Sequence, residues 1–244
     1  MAKIENIEDI AASLPEWEFL KQLPETIGSF VKTPGRGIEG QILSIISYVD
    51  AAHHRALELT YTKETFDYVP VKVVGLHVFR DIRYFCRDKD KFAQLMLEHL
   101  PKVLEEISFE HHTDFGYEAK DMHFEEWDYW RSLPQKVGNF ELFITPDNPV
   151  PFINGSYIFL NYSDFAHESQ LYFLFNGFRV EVFGEMLQQN IPVTTDLFTV
   201  PEENDHGQRK LMKPEKILPR FTELLEERLL PCLEKLGQAG FETL

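Results

Sequence analysis

The dipeptide Asn176-Gly177 constrains this chain more than any other feature. It lies between two runs, Gln170 to Phe175 and Phe178 to Phe183, that are rich in aromatic and β-branched residues. A two-residue type I′ hairpin needs positive φ at both turn positions, and Asn-Gly tolerates it at both. The sequence therefore predicts antiparallel pairing in which Phe175 faces Phe178, Leu174 faces Arg179 and Tyr172 faces Glu181. Phe140 to Thr145 and Tyr157 to Tyr162 have the same composition and are bounded by turn residues, so they read as further strands.

Upstream, the apolar spacing reads as helical. Residues 5–31 are short helical pieces interrupted by Pro15 and Pro24, with Trp17, Phe19, Leu20, Leu23, Ile27 and Phe30 available for burial. Thr33-Pro34-Gly35-Arg36-Gly37 reads as a loop. Ile42, Ile45, Ile46, Val49, His53 and Ala56 recur at helical spacing and predict an amphipathic helix over 39–59. Tyr68 to Val74 has strand composition, and Leu76 to Phe85 is compatible with strand or helix. Helices are expected over 90–107, kinked at Pro101, over 124–133, and from Pro214 to Leu236, where Gly237 follows. No internal repeat or long linker stands out. The chain, 1–244, thus reads as a single α+β domain with a helical N-terminal half, a central antiparallel β-sheet carrying the Asn-Gly hairpin, and a C-terminal helix.

Of 244 residues, 43% are hydrophobic and 21 are Phe, which supports a folded core. Forty Asp and Glu against 24 Lys and Arg give a net charge of −16. That balance excludes a general nucleic-acid binder, which neutralises phosphates with clustered cations, and disfavours an anionic membrane surface. No apolar run approaches a membrane span. Cys86 and Cys232 stand far apart and in no zinc spacing; with no signal-like leader, cytoplasmic residence is expected. The acidic excess is local: residues 98–130 hold ten acids against Lys102 and Lys120, and residues 139–206 hold ten against Arg179 alone.

Two chemistries could use such a segment. His112 and Asp114, at alternate positions of an extended stretch, project to one side and offer two ligands for a divalent non-haem Fe, Mn or Zn ion, with His123 as a third. His112-Thr113-Asp114-Phe115-Gly116 resembles the HxD segment of the Fe(II)/2-oxoglutarate oxygenases, which implies a distal His and an Arg for the cosubstrate. His167 and Arg179 have the right order. However, the expected register sets Arg179 opposite Leu174, seven residues after His167, roughly 23 Å along a strand and on the opposite face, so the motif fails at its geometry. No HExxH, phosphate loop, nucleophile elbow or Cys/His pair is present. His53, on the apolar side of its expected helix, and His99 read as core histidines.

The second chemistry is association. An acidic face steers a basic partner, and interface hot spots favour Trp, Tyr and Arg. Trp127, Tyr129 and Trp130, flanked by Glu125, Glu126 and Asp128, are therefore the expected contact segment, with Arg179 as an anion-recognition group; the competing reading places both tryptophans in the core. The functional expectation is an acidic cytoplasmic protein, of immunity or regulatory-inhibitor type, that binds a basic protein partner without catalysis. The alternative is a metal-dependent enzyme built on His112, Asp114 and His123.

Overall fold

The computed structural model describes residues 6–111, 117–152, 155–193, 197–202 and 212–238. The chain divides into two compact units, Met1–His111 and His112–Leu244, and each has its own antiparallel sheet.

The first unit opens with α1 (Ile7–Ser13), a 3-10 turn (Leu14–Glu16) and α2 (Glu18–Gln22). Six strands follow in a meander: β1 (Thr26–Ile27), β2 (Phe30–Glu39), β3 (Ile42–Asp50), β4 (Arg55–Thr62), β5 (Asp67–Val74) and β6 (His77–Arg80). Helix α3 (Lys89–Glu105) closes the unit, capped where Asp88 Oδ1 accepts the Lys91 N–H at 2.8 Å. Tyr68 stacks on Phe92 of this helix with ring centroids 5.5 Å apart.

The N-terminal half is thus mostly sheet, and the helix expected over 39–59 is the hairpin β3–β4. Every residue from Leu43 to Tyr48 is buried. With both faces covered, the apolar/polar alternation that marks a half-exposed strand disappears, and the remaining isoleucines and valines fall at helical spacing by coincidence. The expected loop at Thr33–Gly37 lies inside β2, where the register shifts between Pro34 and Gly37. Gly35 is required there, because a Cβ would sit 2.1 Å from the Ser44 carbonyl oxygen. The open question at 76–85 resolves into β6 and a 3-10 turn, Ile82–Tyr84.

The second unit contains α4 (Tyr117–Asp121) and two 3-10 turns, Phe124–Glu126 and Tyr129–Ser132, in place of one helix over 124–133. Its strands are β7 (Lys136–Val137), β8 (Phe140–Ile144), β9 (Val150–Pro151), β10 (Ser156–Asp164), β11 (Ser169–Asn176), β12 (Glu181–Gln188) and β13 (Ile191–Val193). The sheet runs β7-β8-β10-β11-β12-β13, with β9 also paired to β10. Helix α5 (Ile217–Leu236) packs Phe221, Leu225, Leu229 and Leu233 into one core with Phe159, Tyr162, Phe173 and Phe175 of the sheet.

The Asn-Gly hairpin exists with a different turn. Asn176 pairs with Glu181, Leu174 with Phe183 and Tyr172 with Glu185, leaving a four-residue loop of Gly177 to Val180. Asn176 acts here through its side chain: Oδ1 accepts the Arg179 N–H at 3.2 Å, an Asx-type turn, and Val180 takes the positive φ of 50°. The slip is by an even number of residues, so the expected sheet faces survive.

The two units also repeat one another, which corrects the reading of a chain without internal repeats. Glu16-Trp17, Leu23-Pro24, Gly28 and Phe30 recur at the same spacing as Glu126-Trp127, Leu133-Pro134, Gly138 and Phe140, and Tyr48, Asp50 and His53 recur as Tyr162, Asp164 and His167. The geometry follows the sequence. Gly28 and Gly138 turn matching two-residue hairpins with φ of 57° and 59°. Asp-x-x-His turns recur, with Asp50 Oδ2 and Asp164 Oδ2 each 2.8 Å from the Nδ1 of His53 and His167. Isolated bridges recur too, Tyr68 with Cys86 and Val182 with Val200.

Tyr48 and Tyr162 carry the same bond in each copy, donating to the carbonyls of Pro24 and Pro134 at 2.6 Å. Burial pushes the Tyr48 phenol up to about 12, with Glu25 adding to the rise. Tyr48→Phe and Tyr162→Phe should each cost about 1 kcal/mol, because each strands a carbonyl acceptor. Equal losses in urea unfolding would bear out structural equivalence; a loss confined to one unit would contradict it.

Candidate functional site

The acidic contact segment is held in place by its aromatic residues. Trp127 is half-buried and its Nε1–H donates to Thr222 Oγ1 of α5 at 2.9 Å. Its ring packs on Phe159 at 5.9 Å and Phe221 at 5.8 Å. Trp130 is buried, with the Arg131 guanidinium 4.4 Å from its ring centroid. The tryptophans anchor the segment to the core of the second unit; in the first unit the equivalent Trp17 is itself buried, and its Nε1–H donates to Ser13 Oγ at 3.0 Å. Sequence reasoning could not separate these roles, since aromatic residues dominate cores and interfaces alike.

Anchoring leaves Glu125, Glu126 and Asp128 exposed beside α5. Glu226 lies one turn beyond Thr222 on the same helix face. Its carboxylate acts on Tyr129, whose phenol is raised by burial first and by Glu226 second. Three exposed acids therefore flank the half-buried Trp127 and Tyr129 along the chain, and Glu226 acts on Tyr129 from α5. Among the described residues, Glu126 has only His123, at 3.4 Å, and Glu125, Asp128 and Glu226 have no cationic partner. The neighbouring acids on α5 differ: Glu223 is bonded by Arg220 at 2.7 Å and Glu227 lies 3.8 Å from Arg228. Sequence analysis found the three acids of the turn but missed Glu226, which only the Trp127–Thr222 bond brings alongside.

Arg179 occupies a separate element, the exposed loop between β11 and β12, with Nη1 3.6 Å from Glu181 Oε1. His112 and Asp114 lie outside the described residues. His123 is exposed at a φ of 59° just before the first 3-10 turn. Among the described residues, no group of three or more His, Cys, Asp or Glu side chains is placed to hold a metal ion. His167 is engaged by Asp164 at the opposite end of β11 from the Arg179 loop. The oxygenase-like pairing of His167 with Arg179 therefore fails in the observed register as well. No helix among the described residues is long and apolar enough to cross a membrane.

The duplicated Asp-x-x-His turns are built as staples. Asp50 is buried and accepts bonds from Ser29 Oγ at 2.6 Å and from the His53 backbone N–H at 3.3 Å. Burial alone would raise its pKa, but these bonds and the His53 ring lower it. His53 stacks on Phe109 at 4.4 Å, and Arg55 Nη1 donates to the Ile107 and Ser108 carbonyls just beyond α3. Recurrence in both units is what a shared folding device requires. Compared with protein-family models, curated protein sequences and solved structures, the chain matches none.

Proposed function

We propose that the protein binds a basic protein partner, as an inhibitor or regulator without catalysis of its own, through the carboxylates that Trp127 holds against α5. The observation that carries this reading is the cluster of Glu125, Glu126, Asp128 and Glu226, which lacks a basic Lys or Arg partner among the described residues. Unneutralised like charges repel one another, so the arrangement costs the free protein stability that a cationic partner would restore. Charge is also unevenly shared: 22 acids face 11 bases in residues 112–244, against 18 and 13 in residues 1–111. Half-buried Trp127 and Tyr129 supply apolar area beside these acids.

The test uses the arginine-rich protein protamine as a probe, titrated at low and high salt. The triple variant Glu125→Lys, Glu126→Lys, Asp128→Lys should weaken binding by about tenfold or more, since rim charges steer association and are screened by salt. A charge-matched triple on the first unit, Glu8→Lys, Asp9→Lys, Glu16→Lys, should change it far less. Equal losses would reduce the effect to bulk charge and overturn the surface assignment. Stoichiometric iron, manganese or zinc that disappears with His112→Ala, Asp114→Ala would overturn the binding-only reading in favour of the metal enzyme.

A further inference from the structure

We propose that the open edge of β6 accepts an extended segment of a partner protein, apolar and acidic at alternate positions of one face, as an added strand. β6 is the edge of its sheet and, among the described residues, pairs only with β5. The Asp81 N–H donates to the Pro70 carbonyl at 2.8 Å. Given the register Val71 with Arg80, Lys72 with Phe79 and Val73 with Val78, antiparallel alternation makes Lys72–Phe79 and Val74–His77 the bonded pairs. The N–H and C=O groups of Val78 and Arg80 therefore point away from β5, toward the open side.

Edges of this kind are ordinarily guarded, and the repeat supplies the comparison. In the second unit the corresponding edge strand is β13, and the residue standing where Val78 stands is Pro192, paired with Leu187 as Val78 is with Val73. Proline has no N–H to offer and blocks strand addition. The first unit carries a valine there instead, 65% exposed, and the chain beyond it exposes Ile82 at 73% and Phe85 at 55%.

Charge selects the occupant. Arg80 is exposed and has no ion-pair partner among the described residues, whereas the acids nearby are committed: Asp81 to Lys72 and Arg83, and Asp67 to Arg87. A strand added here would set one residue against Val78 and, two positions along the same face, another against Arg80. An apolar residue and a carboxylate satisfy the two. A second copy of this edge fits less well, because His77-Val78-Phe79-Arg80 contains no acid and would bring a second arginine. Main-chain bonds would supply affinity and the alternate side chains selectivity, the logic of strand addition.

The experiment measures fluorescence anisotropy of a labelled peptide Thr-Val-Thr-Glu-Thr-Val-Thr against the full chain, with a peptide carrying Lys in place of Glu as comparison. Wild type should bind the Glu peptide in preference. Val78→Pro, which copies Pro192 and removes only an outward N–H, should weaken binding about tenfold or more. Arg80→Glu should reverse the preference between the peptides, and it keeps the idea testable if the proline variant does not fold. No binding by wild type, undiminished binding by a folded Val78→Pro, or an unchanged preference in Arg80→Glu would each overturn the proposal. So would a sedimenting dimer that Val78→Pro dissociates, since the occupant would then be a second copy.

Discussion

Lys72→Ala is expected to destabilise the first unit by about 3 kcal/mol or more, the cost of leaving buried charge uncompensated. Lys72 reaches up from β5 to bond Asp81 at 2.9 Å and Glu106 at 2.7 Å, with its side chain 6% exposed and that of Asp81 5%. Arg83 holds the same two carboxylates from the solvent side. Four charges thereby join β5, the turn after β6 and the residue following α3. Burial works to raise the Asp81 carboxyl, but bonds and charge from Arg83 and Lys72 prevail and bring it down to about 2. A carboxyl depressed on folding contributes stability that is present above its unfolded pKa near 4 and is lost as pH falls through 4 toward 2. One pKa unit corresponds to about 1.4 kcal/mol, so roughly 2 kcal/mol should vanish across that window. Urea unfolding at pH 5 and near pH 2 reads the loss directly; Asp81→Asn should flatten that part of the pH dependence. In a double-mutant cycle, Lys72→Met with Asp81→Asn should cost less than the sum of the single changes. An additive result would mean that the two side chains do not share the network.

The second unit solves the same position differently. Met186 stands on β12 where Lys72 stands on β5, paired with Leu171 of β11, and its sulfur lies 3.2 Å from Cys232 of α5. Burial raises the Cys232 thiol to about 11, with Lys235 working in the other direction, so the pair behaves as apolar packing. Both helices thus pack an apolar face, and the first unit adds an ion network just beyond the end of its helix.

How far the sequence foretold this depended on whether a segment had one wet face or, as in the almost wholly buried β10 and β11, an aromatic composition bounded by turn residues. Helices α3 and α5 were legible because an apolar stripe alternates with charges along each, and β8, β10 and β11 because aromatic runs end at turn residues. β3 was not, since Leu43 to Tyr48 is buried on both faces. The repeat was written in the chain but thinly: the matching Trp, Leu-Pro, Gly and Phe positions lie in a short stretch, and beyond the Tyr, Asp and His of the hairpin the strands share composition more than identity. Gly28-Ser29 and Gly138-Asn139 are hairpin dipeptides as good as Asn-Gly and form the two-residue turns that Asn176-Gly177 does not. For the interaction surface, Glu125, Glu126 and Asp128 could be read from local charge. Glu226 and the inward role of Trp130 could not, because both depend on where α5 docks.

That docking is the basis of the second large effect. Phe221 is fully buried in the second turn of α5, 5.2 Å from Phe173, 5.7 Å from Phe159 and 5.8 Å from Trp127 between ring centroids. It therefore touches both the sheet and the ring that carries the acidic turn. Phe221→Ala should cost about 3–5 kcal/mol, combining lost transfer energy with the cavity left among three rigid aromatic neighbours that cannot collapse into it. Leu230→Ala, on the exposed side of the same helix, should stay within about 0.5 kcal/mol and controls for helix propensity. If Trp127 positions the carboxylates, Phe221→Ala should also weaken protamine binding under conditions where the protein remains folded, by loosening the Trp127–Thr222 bond next to it. Thr222→Val isolates that link: it removes the acceptor with little change in volume, costs about 1 kcal/mol, and should reduce binding without the large loss of stability. Undiminished binding in both variants would detach the acidic surface from the aromatic core to which Trp127 ties it.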